Sequence, residues 1–596
     1  MQDENAEPDD TTLVLRLTLA VTGAAAGLAF WLLFDVLPDA INQPRLLIFL
    51  AALAGGFFGG LMLLLGRLDL RKALICAAIL GLIPALLLFW AGFRFDTPKE
   101  FLNSGHPVAA YLVLVSIPLP FMLAHLRAPK GWLDYDALFD EAWTIFVRAA
   151  TAWAFVGLFW LVLLLGDALL KLVNFRLIGD LVKHAWFSWP LTGLILGLAL
   201  AVLHEMATVV STLRRLALHL LRLLLPLVAV IVAVFIVLVP FQGLENVFRR
   251  LSAAATMLAM AMGAVTLITA TVDARDMDAA KSRLMVISAK VLAMLLPLVA
   301  GIATYAIWLR VNQYGWTPDR LAAAAAALIV LIYALGYAAS VLTGGAWRAR
   351  IRQANTAKAI AMIGLAALWL TPVLNAERIS ANNQLARFEA GKTTVAQLDL
   401  WAIGREWGRA GDAVIEVLRS VKTDDRAGLD QQLTKLDGAK GKYAYRAQQA
   451  ATKQGNMQDL KEILPVFPAD QALPDGALAA LSQYQSQTVL TSCRDLLPDG
   501  RPGCAAIIWQ TQADDPAVAV VLFYRLSDRN VLNYWAITPS TASGNFGVGL
   551  LGASFAKFRG KSAEKLLADI QDSKFSVVPV TRNALDIDGS QIFPVD

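Results

Sequence analysis

Long apolar runs follow one another through the first 374 residues. They lie at Leu13–Phe34, Leu46–Leu65, Ala73–Phe93, Val108–Ala124, Ala149–Leu170, Phe187–Leu203, Leu221–Phe241, Leu251–Val272, Val291–Trp308, Leu321–Thr343 and Ala357–Leu374. A bilayer core about 30 Å thick needs roughly 20 apolar residues to cross it. Only helices and closed barrels satisfy their backbone in lipid. These runs are continuous rather than alternating, so they predict about eleven transmembrane helices. The leading segment Met1–Asp10 is acidic, and the first run keeps Arg16 inside it. Both features predict an uncleaved first helix rather than a signal peptide.

Beyond Asn375 the pattern changes. The stretch Asn375–Gln384 is polar and suits the membrane surface. Val395–Val421 has helical spacing, and shorter helical stretches follow at Gly428–Leu436, Tyr443–Lys453, Met457–Leu464 and Gly476–Tyr484. Ala505–Trp509, Val518–Arg525 and Val531–Ile537 are rich in β-branched and aromatic residues with turn signals between them, which predicts strands. Phe555–Phe558, Ser576–Val580 and Ile587–Phe593 are further strand candidates, and Ser562–Gln571 reads as an amphipathic helix. The expected organisation is a tail over 1–12, a multi-span domain over 13–374, a helical juxtamembrane region over 375–490 and an α+β subdomain over 491–596. The fold class is thus a polytopic α-helical membrane domain followed by a C-terminal α+β domain.

Charge sharpens the division. The first 375 residues carry 50 charged side chains and the last 221 carry 49. A net charge of +5 in 596 residues gives no sign of a nucleic-acid binder. Loops that alternate with the spans differ in Lys and Arg, fourteen against ten, and the richer set includes Trp347–Arg352. The positive-inside rule then predicts a cytoplasmic N-terminus and, after an odd number of crossings, an exported C-terminal domain. The cysteines agree with this. Cys76 lies within a span. Cys493 and Cys504 flank Asp499-Gly500 and Pro502-Gly503, turn formers that let the chain double back and join the sulfurs. Such a bond needs an oxidising compartment, and the alternative is two free thiols in a cytosolic domain.

Catalytic signatures are absent: the chain has no Walker loop, no GxGxxG after a strand, no HExxH and no GxSxG. No cofactor or metal site is expected. Ionisable groups near or within spans are the better candidates, because they are expensive in lipid. Arg16, Asp35, Asp167, His204, Glu205 and Lys290 qualify, and most lie close enough to a span end to snorkel. His204-Glu205 stands out as a possible buried pair or proton site. The segment from Arg310 to Arg320 joins two spans. In it Thr317 suits a helix cap, Pro318 the first helical position and Asp319 the positive dipole end. Tyr314 and Trp316 suit the interface belt. Arg310 and Arg320 are candidate ligands for lipid phosphate or another anion.

The Tyr314-Gly-Trp-Thr-Pro-Asp-Arg320 turn and the Arg378-Ile-Ser-Ala-Asn-Asn-Gln384 segment resemble the bacterial family called domain of unknown function 4153. That resemblance implies a polytopic bacterial inner-membrane protein. It brings no catalytic residues to carry over. The expected function is a non-catalytic envelope component whose exported domain binds a partner, an envelope protein or an anionic lipid. Transport of a small or anionic solute is the first alternative, since Gly55-Gly56, Pro84, Pro118, Pro120, Pro226 and Pro297 interrupt the spans. An enzyme acting on a lipid-linked substrate, using Asp35 and Asp39, is the second.

Overall fold

Each apolar run becomes a helix. The computed structural model describes residues 10–592 except 42, 129–130, 174, 243–251, 424–425, 452–454, 475–476, 482, 498, 510–517, 526–527, 540–545, 550–562, 576–584 and 588–589. Ten helices have the length and composition to cross a bilayer: α1 Thr12–Ala40, α2 Pro44–Leu64, α3 Leu70–Gly92, α4 His106–Arg127, α5 Tyr135–Leu172, α6 Ala185–Glu205, α7 Ala207–Val239, α8 Ala254–Val272, α9 Arg283–Tyr314 and α10 Pro318–Leu342. An eleventh, α11 at Trp347–Leu370, qualifies together with the segment after it, from which it is bent by 75°. Leu158, Leu161, Val162, Leu165 and Leu169 on α5 alone stand more than half exposed. Apolar surface on that scale is what lipid covers, so the chain has the build of a multi-pass membrane protein.

Most of the expected breaks are not breaks. Pro84 and Pro297 sit inside helices that run on past them, as does Pro190 in α6. Neighbouring helices in a membrane bundle tolerate such residues. Pro118 is different: it starts the second half of α4 after a discontinuity at Ile117. In α1 a π-helical turn occupies Leu32–Val36 and holds Asp35, which is exposed, as is Asp39 after it.

Small residues set the closest crossing. A Cβ on Gly23 would meet the Gly193 carbonyl at 2.0 Å, and one on Gly27 would meet the Trp189 carbonyl at 2.1 Å. A Cβ on Gly197 would meet the Leu19 carbonyl at 2.1 Å. Gly23/Gly27 and Gly193/Gly197 are therefore two four-residue glycine repeats facing each other, the pattern that lets membrane helices touch backbone to backbone. The pairing is antiparallel. One end carries Phe30, Phe34 and Trp189 in ring contact, and the other an ion pair between Arg16 and Glu205.

Apolar residues of α7 to α10 form one core around Leu225, Ile268, Leu292, Ala300 and Tyr337. A second core joins Leu19, Leu64, Leu80, Leu123, Ala152 and Leu200 from the first six spans. A third brings Ala85, Phe101, Leu114, Trp369 and Leu370 together from α3, α4, α11 and the loop after α3.

Two compact units divide the chain at Asp425/Arg426. The change of composition at Asn375 marks the end of the apolar part, but not of the compact unit. The polar segment folds as α12 Ala376–Glu389 and is followed by α13 Leu400–Glu406 and α14 Gly408–Ser420. These belong to the same unit as the spans because they carry a buried face, with Glu377, Ser380, Ile403 and Leu418 nearly inaccessible.

The second unit contains α15 Arg426–Gly438, α16 Lys442–Ala451, α17 Gly455–Ile463, α18 Gln483–Arg494 and α19 Ala563–Gln571. Its five-stranded sheet runs β1 Val466–Phe467, β2 Cys504–Trp509, β3 Val518–Arg525, β4 Asp528–Pro539 and β5 Phe546–Gly549 in chain order, with β1 parallel to β2 and the rest antiparallel. A hairpin of β6 Leu585–Ile587 and β7 Ser590–Ile592 stands apart. The expected border at 490/491 falls inside α18. The helix expected at Gly476–Tyr484 is only a short turn at Leu478–Ala480. Met1–Gln2 and the rest of the tail to Asp9, Phe555–Phe558 and Ser576–Val580 lie outside the described residues.

Candidate functional site

Helix α12 is where the membrane unit is tied together. It begins with Asn375, whose side chain accepts a hydrogen bond from the Arg378 N–H and caps the helix. Two turns on, its polar side chains reach the turn between α9 and α10. Asn383 Oδ1 accepts from the Trp316 N–H at 2.9 Å, while Gln384 Nε2 donates to the Tyr314 and Trp316 carbonyls at 3.0 and 2.9 Å. Arg387 donates to the Asn312 and Gln313 carbonyls at 3.1 and 2.9 Å. The exposed carbonyls at the end of α9 thus find donors from a different helix, which is what a helix C-terminus requires.

The turn itself is built as its sequence predicts. Thr317 caps α10 by accepting from the Arg320 N–H, Pro318 follows, and Asp319 lies in the first turn. Gly315 has φ +76°, and a Cβ there would lie 2.7 Å from both Arg387 Cδ and Gln384 Nε2. Only glycine fits, for both reasons. Arg310 and Arg320 stand over the Tyr314 ring at 5.7 and 5.5 Å, and Arg320 also donates to the Gly315 carbonyl at 2.8 Å. Of the expected anion-binding set, the structure brings Arg310, Tyr314 and Arg320 together. It engages Trp316 through its backbone, and Asp319 serves the helix start.

Toward its start, α12 turns Glu377 into the protein. Glu377 is 1% exposed, and its carboxylate meets Arg94 and His106. Arg94 Nη1 lies 3.4 Å from Oε2, and Nη2 donates to the carbonyls of Trp369 and Thr371 at 2.7 and 2.8 Å. The Trp369 indole N–H donates to His106 Nδ1 at 2.9 Å. An indole is only a donor, so the neutral imidazole carries its proton on Nε2. That atom stands 3.1 Å from Glu377 Oε1, close but poorly aligned. One carboxylate and one guanidinium balance in charge, which makes burial tolerable. Burial draws the Arg94 guanidinium below its ordinary range, and the Glu377 carboxylate opposes that shift.

Chemically this cluster is a lock. Trp369 donates to His106 and Arg94 donates to Glu377 and to two carbonyls, while His106 Nε2 and Glu377 Oε1 face each other at 3.1 Å without an aligned hydrogen bond. Ser380 Oγ, fully buried one turn further along α12, has no partner among the described residues. The sequence shows no sign of the cluster, because its members lie up to 283 positions apart. Around it, Arg409 pairs with Asp96 at 3.1 Å and donates its backbone N–H to the Arg94 carbonyl at 2.9 Å.

The other expected residues separate. Glu205 pairs with Arg16, with Arg16 Nε at 2.6 Å from Oε1. Its neighbour His204 turns away and packs on Gly66, where a Cβ would lie 2.8 Å from its Cε1. Lys290 is exposed and stands 5.7 Å from the Trp347 ring. Asp167 pairs with Lys171 one turn on. Lys358, in the middle of α11, escaped the sequence reading. It is buried, stands 4.4 and 4.7 Å over the rings of Tyr333 and Tyr337, and lies 3.3 Å from the Tyr333 carbonyl.

In the second unit Cys493 and Cys504 are joined, with Cα atoms 4.8 Å apart and both side chains buried. The chain between them doubles back at Gly500, φ +84°, with the Leu497 N–H donating to the Arg501 carbonyl at 2.7 Å. Gln571 of α19 closes over it by donating to the Pro502 and Cys504 carbonyls. Among the described residues no group of His, Cys, Asp and Glu is arranged to hold a metal ion.

A family model described as domain of unknown function DUF4153 matches residues 47–416. No curated protein and no solved structure matches the chain. The match spans more than half of the chain and takes in both the α9–α10 turn and the helix that holds it, so this chain belongs to the DUF4153 family.

Proposed function

We propose that this protein is a non-catalytic component of the bacterial cell envelope, with its N-terminus in the cytoplasm and residues 426–596 in the periplasm, where they bind a partner. The observation that carries the reading is the buried bond between Cys493 and Cys504, since such bonds persist in oxidising compartments. An odd number of crossings from a cytoplasmic start gives the same side, as does the excess of Lys and Arg in alternate loops. The mutual engagement of Arg94, His106, Trp369 and Glu377 supports a structural rather than a catalytic role for the most buried polar cluster.

The test is thiol labelling in intact cells. A membrane-impermeant maleimide should modify Cys493 and Cys504 only after reduction. Labelling without reduction, or only after the inner membrane is opened, refutes the reading.

A second reading, transport of a small or anionic solute, is favoured by Lys358. An ammonium in mid-span with no carboxylate beside it among the described residues is the kind of group that serves solute or proton movement. Flux into proteoliposomes that Lys358→Met abolishes would support it, and equal flux through both forms would remove it.

A further inference from the structure

The face of the membrane unit that holds the α2–α3 and α4–α5 connections is crowded with arginine. Four of these arginines have a carboxylate of their own. Arg214 pairs with Asp140 at 2.7 Å, Arg222 with Asp273, Arg275 with Asp136 at 3.4 Å, and Arg352 with Asp276 at 2.8 Å. Arg148 has none among the described residues. It is 3% exposed, and among those residues it makes a single hydrogen bond, at 3.5 Å, to the Leu200 carbonyl. Its Nε–H has no acceptor among the described residues. A guanidinium carries five N–H donors, so most of its capacity is unused.

Its neighbours add to the excess of positive charge. Arg67 and Arg127 both pair with Glu141, Arg127 at 3.0 Å, so two guanidinium groups share one carboxylate, and Arg148 has none within ion-pair distance among the described residues. The His204 ring stands in the same group and closes on the Gly66 turn, whose φ of +78° brings the backbone beneath it. Arg67 and Arg127 are partly exposed, so the group opens outward, while Arg148 lies behind them. Arg148 is also the last charged residue before the apolar run that starts at Ala149, the depth at which lipid head groups end.

We propose that Arg148, Arg67 and Arg127 form a binding site for a phosphate-bearing anion. Guanidinium forks from the α2–α3 turn, the end of α4 and the start of the α5 apolar run suit an oxyanion with several acceptor atoms. A lipid head group and a free phosphate share this chemistry. Burying an unmatched cation is otherwise unfavourable, and the anion supplies the missing counter-charge.

The experiment uses the full chain in nanodiscs and follows its thermal unfolding. One arm exchanges neutral phosphatidylcholine for a mixture containing phosphatidylglycerol. The other adds inorganic phosphate to neutral discs, with chloride at equal ionic strength as control. The site predicts a rise in midpoint in at least one arm, and the responding arm names the source. Arg148→Met should unfold no earlier than wild type in neutral discs and should lose the anion response. Should that variant not fold, Arg127→Gln at the exposed rim should weaken the response by about tenfold in apparent affinity. The proposal is overturned if neither anion exceeds the chloride control, or if Arg148→Met or Arg127→Gln responds as wild type does.

Discussion

Replacing Glu377 by glutamine keeps the volume of a side chain that is 1% exposed and removes only its charge. Arg94 is then left buried without a counter-ion. At 3.4 Å the attraction between the two is about 5 kcal/mol for an effective dielectric near 20. The Trp369 and Thr371 carbonyls still accept from Arg94, and the new amide oxygen still faces His106, so part of that is retained. Breaking a buried pair from one side costs about 3–5 kcal/mol, and we place Glu377→Gln near the lower end, about 3 kcal/mol. Reversible unfolding in mixed detergent micelles, followed by circular dichroism, measures it. A double-mutant cycle with Arg94→Met separates the pair from the volume change. The double variant should recover about 2 kcal/mol relative to the sum of the singles. A loss below about 1 kcal/mol, or strict additivity, would refute the claim that this cluster locks α12 to the spans.

Gly315→Ala should loosen the α9–α10 turn by about 2 kcal/mol or more, through the left-handed backbone and the contact with Arg387 and Gln384. Faster amide exchange at Trp316 reports it, and unchanged exchange counts against it. Gly193→Ala should push α1 from α6 and lower thermal stability. Gly157→Ala, with nothing within 4 Å of its Cβ position, should be neutral or slightly stabilising, so equal effects of the two would contradict the glycine-packed crossing. Partial burial, with Asp96 and Glu100 nearby, holds the Asp412 carboxyl above the usual carboxylate range. A raised folded-state value means that its contribution favours the folded form in acid and is lost as pH rises through that value. Asp412→Asn should therefore flatten the acid-side pH dependence of α14 protection in hydrogen exchange, and an unaltered profile would show that the group titrates normally.

The spans were legible because a membrane-crossing helix is a local property: twenty apolar residues suffice wherever they occur. The Thr317-Pro318-Asp319 cap was legible for the same reason. Arg16 and Glu205 were visible as charges at span ends, but not as partners, since only the antiparallel glycine crossing sets them side by side. The cluster of Arg94, His106, Trp369 and Glu377 left no trace in spacing at all. Helix α18 could have been found. Ser486, Val489, Leu490 and Cys493 recur at helical intervals and are its buried face, but the polar run QYQSQ obscured the period. Lys358 lies inside an apolar window whose hydropathy hides a single charge.

Synthesis runs in one direction, and α12 emerges after every crossing helix it braces. Arg94 waits 283 residues for its carboxylate, and the carbonyls that close α9 wait about as long as the ribosome needs to reach Arg387. Throughout that interval the inserted helices hold a buried cation and a bare helix end. A chain cut short before Arg387 is thus an unfinished fold rather than a smaller one, and its assembly is completed by residues that follow the last span.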